Sequence, residues 1–207
     1  MKELKEFSLA FNILSTFYSK KVDIDLLKKE NLLDNWFIQT NSELNKKGKK
    51  EWKNSYKRDE KADVYADFTN LFISNENGLN ATPYSSYYFN ESGETFTKES
   101  DDVEKVYKQY GFTPTNQKEP SDFMGSELEF ISFLLHNYKT SDDAKSALNM
   151  FLSQYYYPWA NYCFKSMQRK SDTHFYKGVG YLASDISEFL VKELKIKISK
   201  REIYNKG

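Results

Sequence analysis

The sequence predicts an all-α fold. Apolar residues recur at steps of three and four along most of the 207 residues, the signature of amphipathic helices. Alternation of the kind strands need is confined to the short run Lys195-Ile196-Lys197-Ile198. Turn-forming residues gather in residues 74–100, which hold Asn77-Gly78, Pro83, Ser92-Gly93 and several tyrosines but no helical period. The expected architecture is a single-domain helical bundle over residues 1–207, interrupted by one long irregular loop at 74–100.

Leu4, Phe7, Phe11, Leu14 and Tyr18 form the stripe of a first helix. A short second helix contains Leu26, Leu27, Leu32 and Leu33. From Thr40 to Lys61 the pattern thins to Leu44, Trp52 and Tyr56 in a lysine-rich background, which reads as a solvated helix or a basic docking face. Val64, Tyr65, Phe68, Leu71 and Phe72 restore a strong stripe. After the irregular stretch, Asp101 with Glu104 offers a helix start, Val103, Val106, Tyr107 and Tyr110 its apolar face, and Gly111 its stop.

Leu128, Ile131, Leu134, Leu135 and Tyr138 mark a helix central to the core. Ser141 restarts the pattern with Ala144, Leu148, Phe151, Leu152 and Tyr155 inward. Pro158 fits the first turn of a further helix that buries Trp159, Tyr162 and Cys163. The last long helix carries Tyr176, Val179, Leu182, Ala183, Ile186, Phe189 and Leu190, and residues 195–207 are expected to fray.

Composition removes several classes of function. Thirty basic and thirty acidic residues cancel, so the clustered positive charge that nucleic-acid binding needs is missing. One cysteine, Cys163, cannot close an intrachain disulfide, and no Cys/His cluster offers a metal site. Acids in Met1-Lys2-Glu3-Leu4-Lys5-Glu6-Phe7 spoil a signal peptide, and no apolar run reaches bilayer length. A cytoplasmic protein without stable membrane insertion and without a cofactor is expected.

No phosphate loop, dinucleotide fingerprint, nucleophile elbow or H-E-x-x-H pair is present. Gly178-Val179-Gly180 lies inside a helical stripe and reads as close helix packing. His136 and His174 have no sequence neighbour that suggests a relay. Glu127 and Glu129, two apart on a helix, diverge and cannot pair for acid–base work. No catalytic residue is expected, and the protein is read as a non-enzyme.

The segment Glu119-Pro120-Ser121-Asp122-Phe123-Met124-Gly125-Ser126-Glu127-Leu128-Glu129-Phe130 remains. Pro120 ends one segment, and Ser121 or Asp122 can cap the helix that follows. This stretch resembles the E-P-x-D-H signature and E-L-x-F helix of the TorD/DmsD family of molybdoenzyme maturation chaperones, with Phe123 standing where the family carries histidine.

Further motifs follow in the family's order over residues 60–190. They are Asp63 to Phe72, similar to D-Y-x-x-L-F; Pro83 to Phe89, similar to P-[WY]-x-S-x-[WYF]; Tyr110-Gly111-Phe112; Phe151-Leu152 through Trp159; and Phe175-Tyr176.

The resemblance implies a TorD-like helical chaperone, monomeric or homodimeric. It would bind the twin-arginine leader or the apo-form of a molybdenum-dependent oxidoreductase catalytic subunit before export. A nitrate-reductase-type assembly role without an exported leader and, further off, a small nucleotide hydrolase are alternatives. The residues the resemblance assigns to peptide binding are Tyr84, Ser86, Tyr87, Tyr88, Phe89, Glu119, Pro120, Asp122, Phe123 and Glu127.

Carboxylates would meet guanidinium groups and rings would form the groove, in a helix-in-groove mode. Asp122 stays open between helix cap and arginine partner, and Tyr84 and Tyr88 between core and groove. Burying about 600 Å² of apolar surface at about 25 cal/mol/Å² offers roughly 15 kcal/mol before association costs, against about 1.5 to 3 for one charged hydrogen bond. Apolar contact should set affinity and the acids register.

Overall fold

A computed structural model describes residues 3–76 and 78–206. Met1, Lys2, Asn77 and Gly207 lie outside the described residues, and with them part of the opening segment, half of the Asn77-Gly78 turn and the end of the expected tail. The regular structure of the described residues is helical, with no strand, only an isolated antiparallel bridge between Tyr84 and Phe123.

In chain order the helices are α1 (Glu3–Ser19), α2 (Ile24–Lys29), α3 (Glu43–Arg58), α4 (Lys61–Phe72), α5 (Ser85–Phe89), α6 (Lys98–Gln109), α7 (Met124–Asn137), α8 (Asp142–Phe151), α9 (Tyr157–Lys170) and α10 (His174–Glu193). A π-helical turn, Leu152–Tyr156, links α8 to α9. Pro158 sits in the first turn of α9, as its sequence context suggests, and the backbone stays helical through it from α8. Widened turns of this kind often accompany functional surfaces.

Two compact units divide the chain. The first holds residues 1–19, 83–161 and 190–206, and the second 20–82 and 162–189.

In the first unit α1 packs along α7. Gly125 permits the approach, since a Cβ there would lie 2.6 Å from Ser19 Oγ and 2.5 Å from the Phe123 ring. The core around α7 is aromatic: the Phe130 ring centre lies 4.8 Å from those of both Tyr107 and Phe151. Leu128, Ile131, Leu134 and Leu135 are buried as the stripe predicted.

In the second unit Trp52 of α3 is the hub, edge-on to Trp36 at 5.3 Å and stacked on Phe175 at 6.2 Å. Its Nε1–H donates to the Phe175 carbonyl at 3.1 Å. The lysine-rich segment is thus an amphipathic helix with a buried tryptophan. Buried aspartates hold the loops here. Asp59 accepts the His174 and Phe175 amides, Asp67 the Asp172 and Thr173 amides, and Asp185 the Thr40, Ser42 and Asn45 side chains. The first two supply the acceptors that the first turn of α10 needs.

Two starts differ from expectation. α6 begins at Lys98 after Thr97, three residues before Asp101, because Thr97 already has extended backbone. α7 is preceded by Phe123, with no side-chain cap, so neither Ser121 nor Asp122 caps it. Gly111, at φ 64°, ends α6 as predicted.

Gly178 is a close approach in α10, since a Cβ there would sit 2.2 Å from Trp52 Cδ1. Gly178→Ala should lower stability by about 3 kcal/mol, the cost of overpacking a rigid ring, read from the shift of the urea midpoint.

Candidate functional site

The residues around Asp122 converge from three stretches of the first unit, and their centre is buried. Asp122 is 0% exposed. Its carboxylate accepts the Ser86 amide at 2.8 Å, the Ser100 hydroxyl at 2.5 Å and, more weakly, the Ser85 hydroxyl at 3.4 Å. Its carbonyl accepts the Ser85 amide, and Pro83 accepts the Met124 amide at 2.7 Å. Asp122 therefore caps α5 from a distance of 36 residues in sequence and clamps the first turn of α6. The carboxylate is used up by these donors and is not offered to a ligand.

Glu127, also 0% exposed, receives the Trp159 indole N–H at 3.2 Å on Oε2, while Oε1 has no hydrogen-bond partner. Burial, and next the negative charge of Asp122, push its carboxyl well above the ordinary 4.5. It is held neutral.

Tyr88 is 1% and Phe123 3% exposed, the first packed on Trp159 at 5.2 Å and the second on Tyr84 at 5.7 Å. Ser86 is buried, whereas Tyr84, Tyr87, Phe89, Glu119 and Pro120 are half-buried. The sequence-predicted set thus separates into an inner group, Ser86, Tyr88, Asp122, Phe123 and Glu127, and an outer one that reaches the surface.

Of the outer group, Glu119 and Pro120 line an open groove of about 460 Å³, together with Phe96, Asp101, Glu104, Tyr107 and Lys108 among others. Tyr84 donates its hydroxyl to Glu119 Oε2 at 2.8 Å and lies 6.0 Å from the Phe96 ring. Burial and the bond to Glu119 raise the Tyr84 phenol far beyond its usual range, so it stays a donor. Tyr107 anchors the floor by donating to the Ser121 carbonyl at 2.9 Å. Lys108 is matched by Glu104 at 2.8 Å, which leaves Asp101 and Glu119 as the surplus charge.

Sequence reasoning missed Phe96. It is 67% exposed and holds a φ of 62°, an unfavourable backbone for an aromatic residue and a mark of functional surfaces. Nothing in the local sequence signals it, because neither periodicity nor turn chemistry requires a ring there. A second groove of about 460 Å³ shares Phe112 and Thr113 with the first and is lined by Lys5, Leu9, Phe133 and His136; Leu9 is 51% exposed.

Among the described residues no group of three or more His, Cys, Asp or Glu is placed to hold a metal. His174 meets Glu51 at 2.5 Å within the second unit, a partner invisible to sequence spacing. Among the described residues no helix is long and apolar enough to cross a membrane.

The pattern of the family described as nitrate reductase delta subunit matches residues 39–165, more than half of the chain. The chain belongs to this family, which takes in the TorD-like redox enzyme maturation chaperones. Chaperone protein TorD of Vibrio parahaemolyticus is 29% identical over 99 residues, 47% of this chain and 46% of that protein, so the match spans about half of this curated relative. A crystal structure described as a candidate redox enzyme maturation protein of Archaeoglobus fulgidus superposes with TM-score 0.48 at 23% identity, covering 91% of each chain. Chaperones of this family are non-catalytic.

Asp122→Ala should cost about 3 kcal/mol, because it leaves the buried Ser86 amide and the serine hydroxyls without an acceptor; Asp122→Asn, which keeps one acceptor oxygen, should recover part of this in the same denaturant titration. Glu127 sets a pH dependence. Its folded value exceeds its unfolded one, so its contribution is complete below the unfolded value and is lost as pH rises toward the folded one. Glu127→Gln should match the parent near pH ~5 and melt progressively higher than it as pH approaches about 8, as followed by thermal denaturation.

Proposed function

We propose that this protein is a maturation chaperone for a molybdenum-dependent oxidoreductase catalytic subunit, and that it recognises a basic–apolar segment of that client, its twin-arginine leader, before export from the cytoplasm. The observation that carries the reading is the groove beside α6. Its surplus charge is negative, from Asp101 and Glu119, and an exposed ring, Phe96, stands at its edge. Guanidinium groups suit such acids because they pair in a plane and stack on rings, which an ammonium does poorly. The adjoining groove with Leu9 and Phe133 offers apolar surface for the residues that follow the arginines.

Binding would hold the client back by occupying its leader, with no bond made or broken. Asp122 and Tyr84 contribute by positioning. Asp122 fixes α5 and α6, and Tyr84 fixes the Glu119 carboxylate, so affinity depends on them without direct contact.

A second reading keeps the same groove and changes the client. The family description, nitrate reductase delta subunit, favours an assembly role toward a catalytic subunit that carries no exported leader, with a basic–apolar segment of the folded chain in the leader's place.

Isothermal titration with a leader peptide from a molybdoenzyme of the same genome tests the first reading. Glu119→Gln should weaken binding about ten- to hundredfold, the equivalent of one charged hydrogen bond of roughly 1.5 to 3 kcal/mol, and Phe96→Ala should weaken it without lowering stability. Silence with every such leader, together with binding of the leaderless subunit, would select the second.

A further inference from the structure

Residues 197–205, expected to fray, are docked on the first unit. The Ser199 amide donates to the Ser153 carbonyl and the Tyr204 amide to the Tyr88 carbonyl. Ser153 Oγ donates to the Lys197 carbonyl at 2.6 Å. The Asn205 side-chain amide donates to the Tyr87 and Asn90 carbonyls, each at 2.8 Å. Between these anchors the Arg201 guanidinium lies 3.4 Å from the centre of the Phe89 ring, donates to Glu99 at 3.2 Å and reaches the Gln154 carbonyl at 3.4 Å.

The segment reads Ser199-Lys200-Arg201-Glu202-Ile203-Tyr204, a basic pair followed, after one acid, by apolar side chains. That is the chemistry ascribed above to the client.

We propose that this strap is an internal stand-in for the client segment: Phe89, Glu99 and the Gln154 carbonyl form a guanidinium seat that Arg201 fills in cis, and a client arginine takes the seat by displacing the strap. The inference rests on the reading that the partner is a basic–apolar peptide, and names a subsite for it.

The seat suits a guanidinium specifically. It offers a ring face, a carboxylate and a carbonyl, which a planar, many-donor cation satisfies together and an ammonium cannot. The hold is loose enough for exchange. Arg201 keeps 31% of its side-chain surface open and Glu99 22%, and among the described residues two backbone amides of the strap, Ser199 and Tyr204, bond to the rest of the unit. The site is also continuous with the acidic groove through the first turn of α6, where Glu99 serves the seat and Ser100 and Asp101 the groove.

A strap of this kind raises the threshold for binding. With an effective concentration of roughly 1 mM for a short tether and an intrinsic dissociation constant of ~0.1 mM for the strap, a competing peptide loses about tenfold in apparent affinity. Weak partners would be refused and a full leader would still enter.

The experiment uses the intact chain, a synthetic peptide carrying an Arg-Arg pair followed by an apolar segment, calorimetry, and amide hydrogen exchange at Ser199 and Tyr204. Saturating peptide is expected to abolish protection at Tyr204. Arg201→Gln should tighten peptide binding about tenfold. Arg201→Lys should fall between the parent and Arg201→Gln, and Glu99→Gln, which loosens the strap but also damages the seat, should bring no gain. Peptide that binds while Tyr204 stays protected, or that binds the parent and Arg201→Gln equally, overturns the strap and leaves the chaperone reading in place. Absence of binding to both chains overturns the two together.

Discussion

The buried carboxylate of Asp122 is the interaction on which the surface of the first unit depends. A carboxylate inside a protein is tolerated only when donors surround it, and Asp122 draws them from α5 and α6. Loss of these bonds would free the short α5, which has five residues and too few internal hydrogen bonds to persist alone. Tyr84, Phe89 and the turn that bears Phe96 would lose their places with it. Asp122 shapes the surface around it.

Glu127 lies in the same interior, where burial, and next the neighbouring Asp122, push its carboxyl up while the Trp159 N–H donates to it. The second unit uses the same device three times, with Asp59, Asp67 and Asp185 each satisfied by backbone amides or hydroxyls. In both units buried aspartates replace the turn residues that would otherwise fix long connections, and the surface acids are left for partners.

A division of labour results that suits a protein without covalent chemistry. Rings and satisfied aspartates make a stiff interior, and the variable part is the outer face of α5 and α6, where an exposed ring, surplus acids and a detachable strap lie side by side. The irregular stretch between residues 74 and 100 looked like a loop because α5 is too short to leave a periodic stripe, yet it supplies α5 and the exposed ring of Phe96 to that face. Its tyrosines split by depth. Tyr88 is core, Tyr84 holds Glu119, and Tyr87 accepts the strap through its carbonyl.

The sequence by itself marked the longer helices and their punctuation, because a 3.6-residue repeat of apolar side chains and the placing of glycine are local properties of the chain: the buried stripe of α7, the close-packing glycines of α10 and the stop at Gly111 were all legible. The roles of Asp122, Glu127, Phe96 and Arg201 were decided by the tertiary structure. Whether a carboxylate caps a helix, meets an arginine or is sealed inside depends on which donors arrive from residues dozens of positions away, and a guanidinium becomes a seated group instead of a solvated one only when a distant ring and acid are brought beneath it.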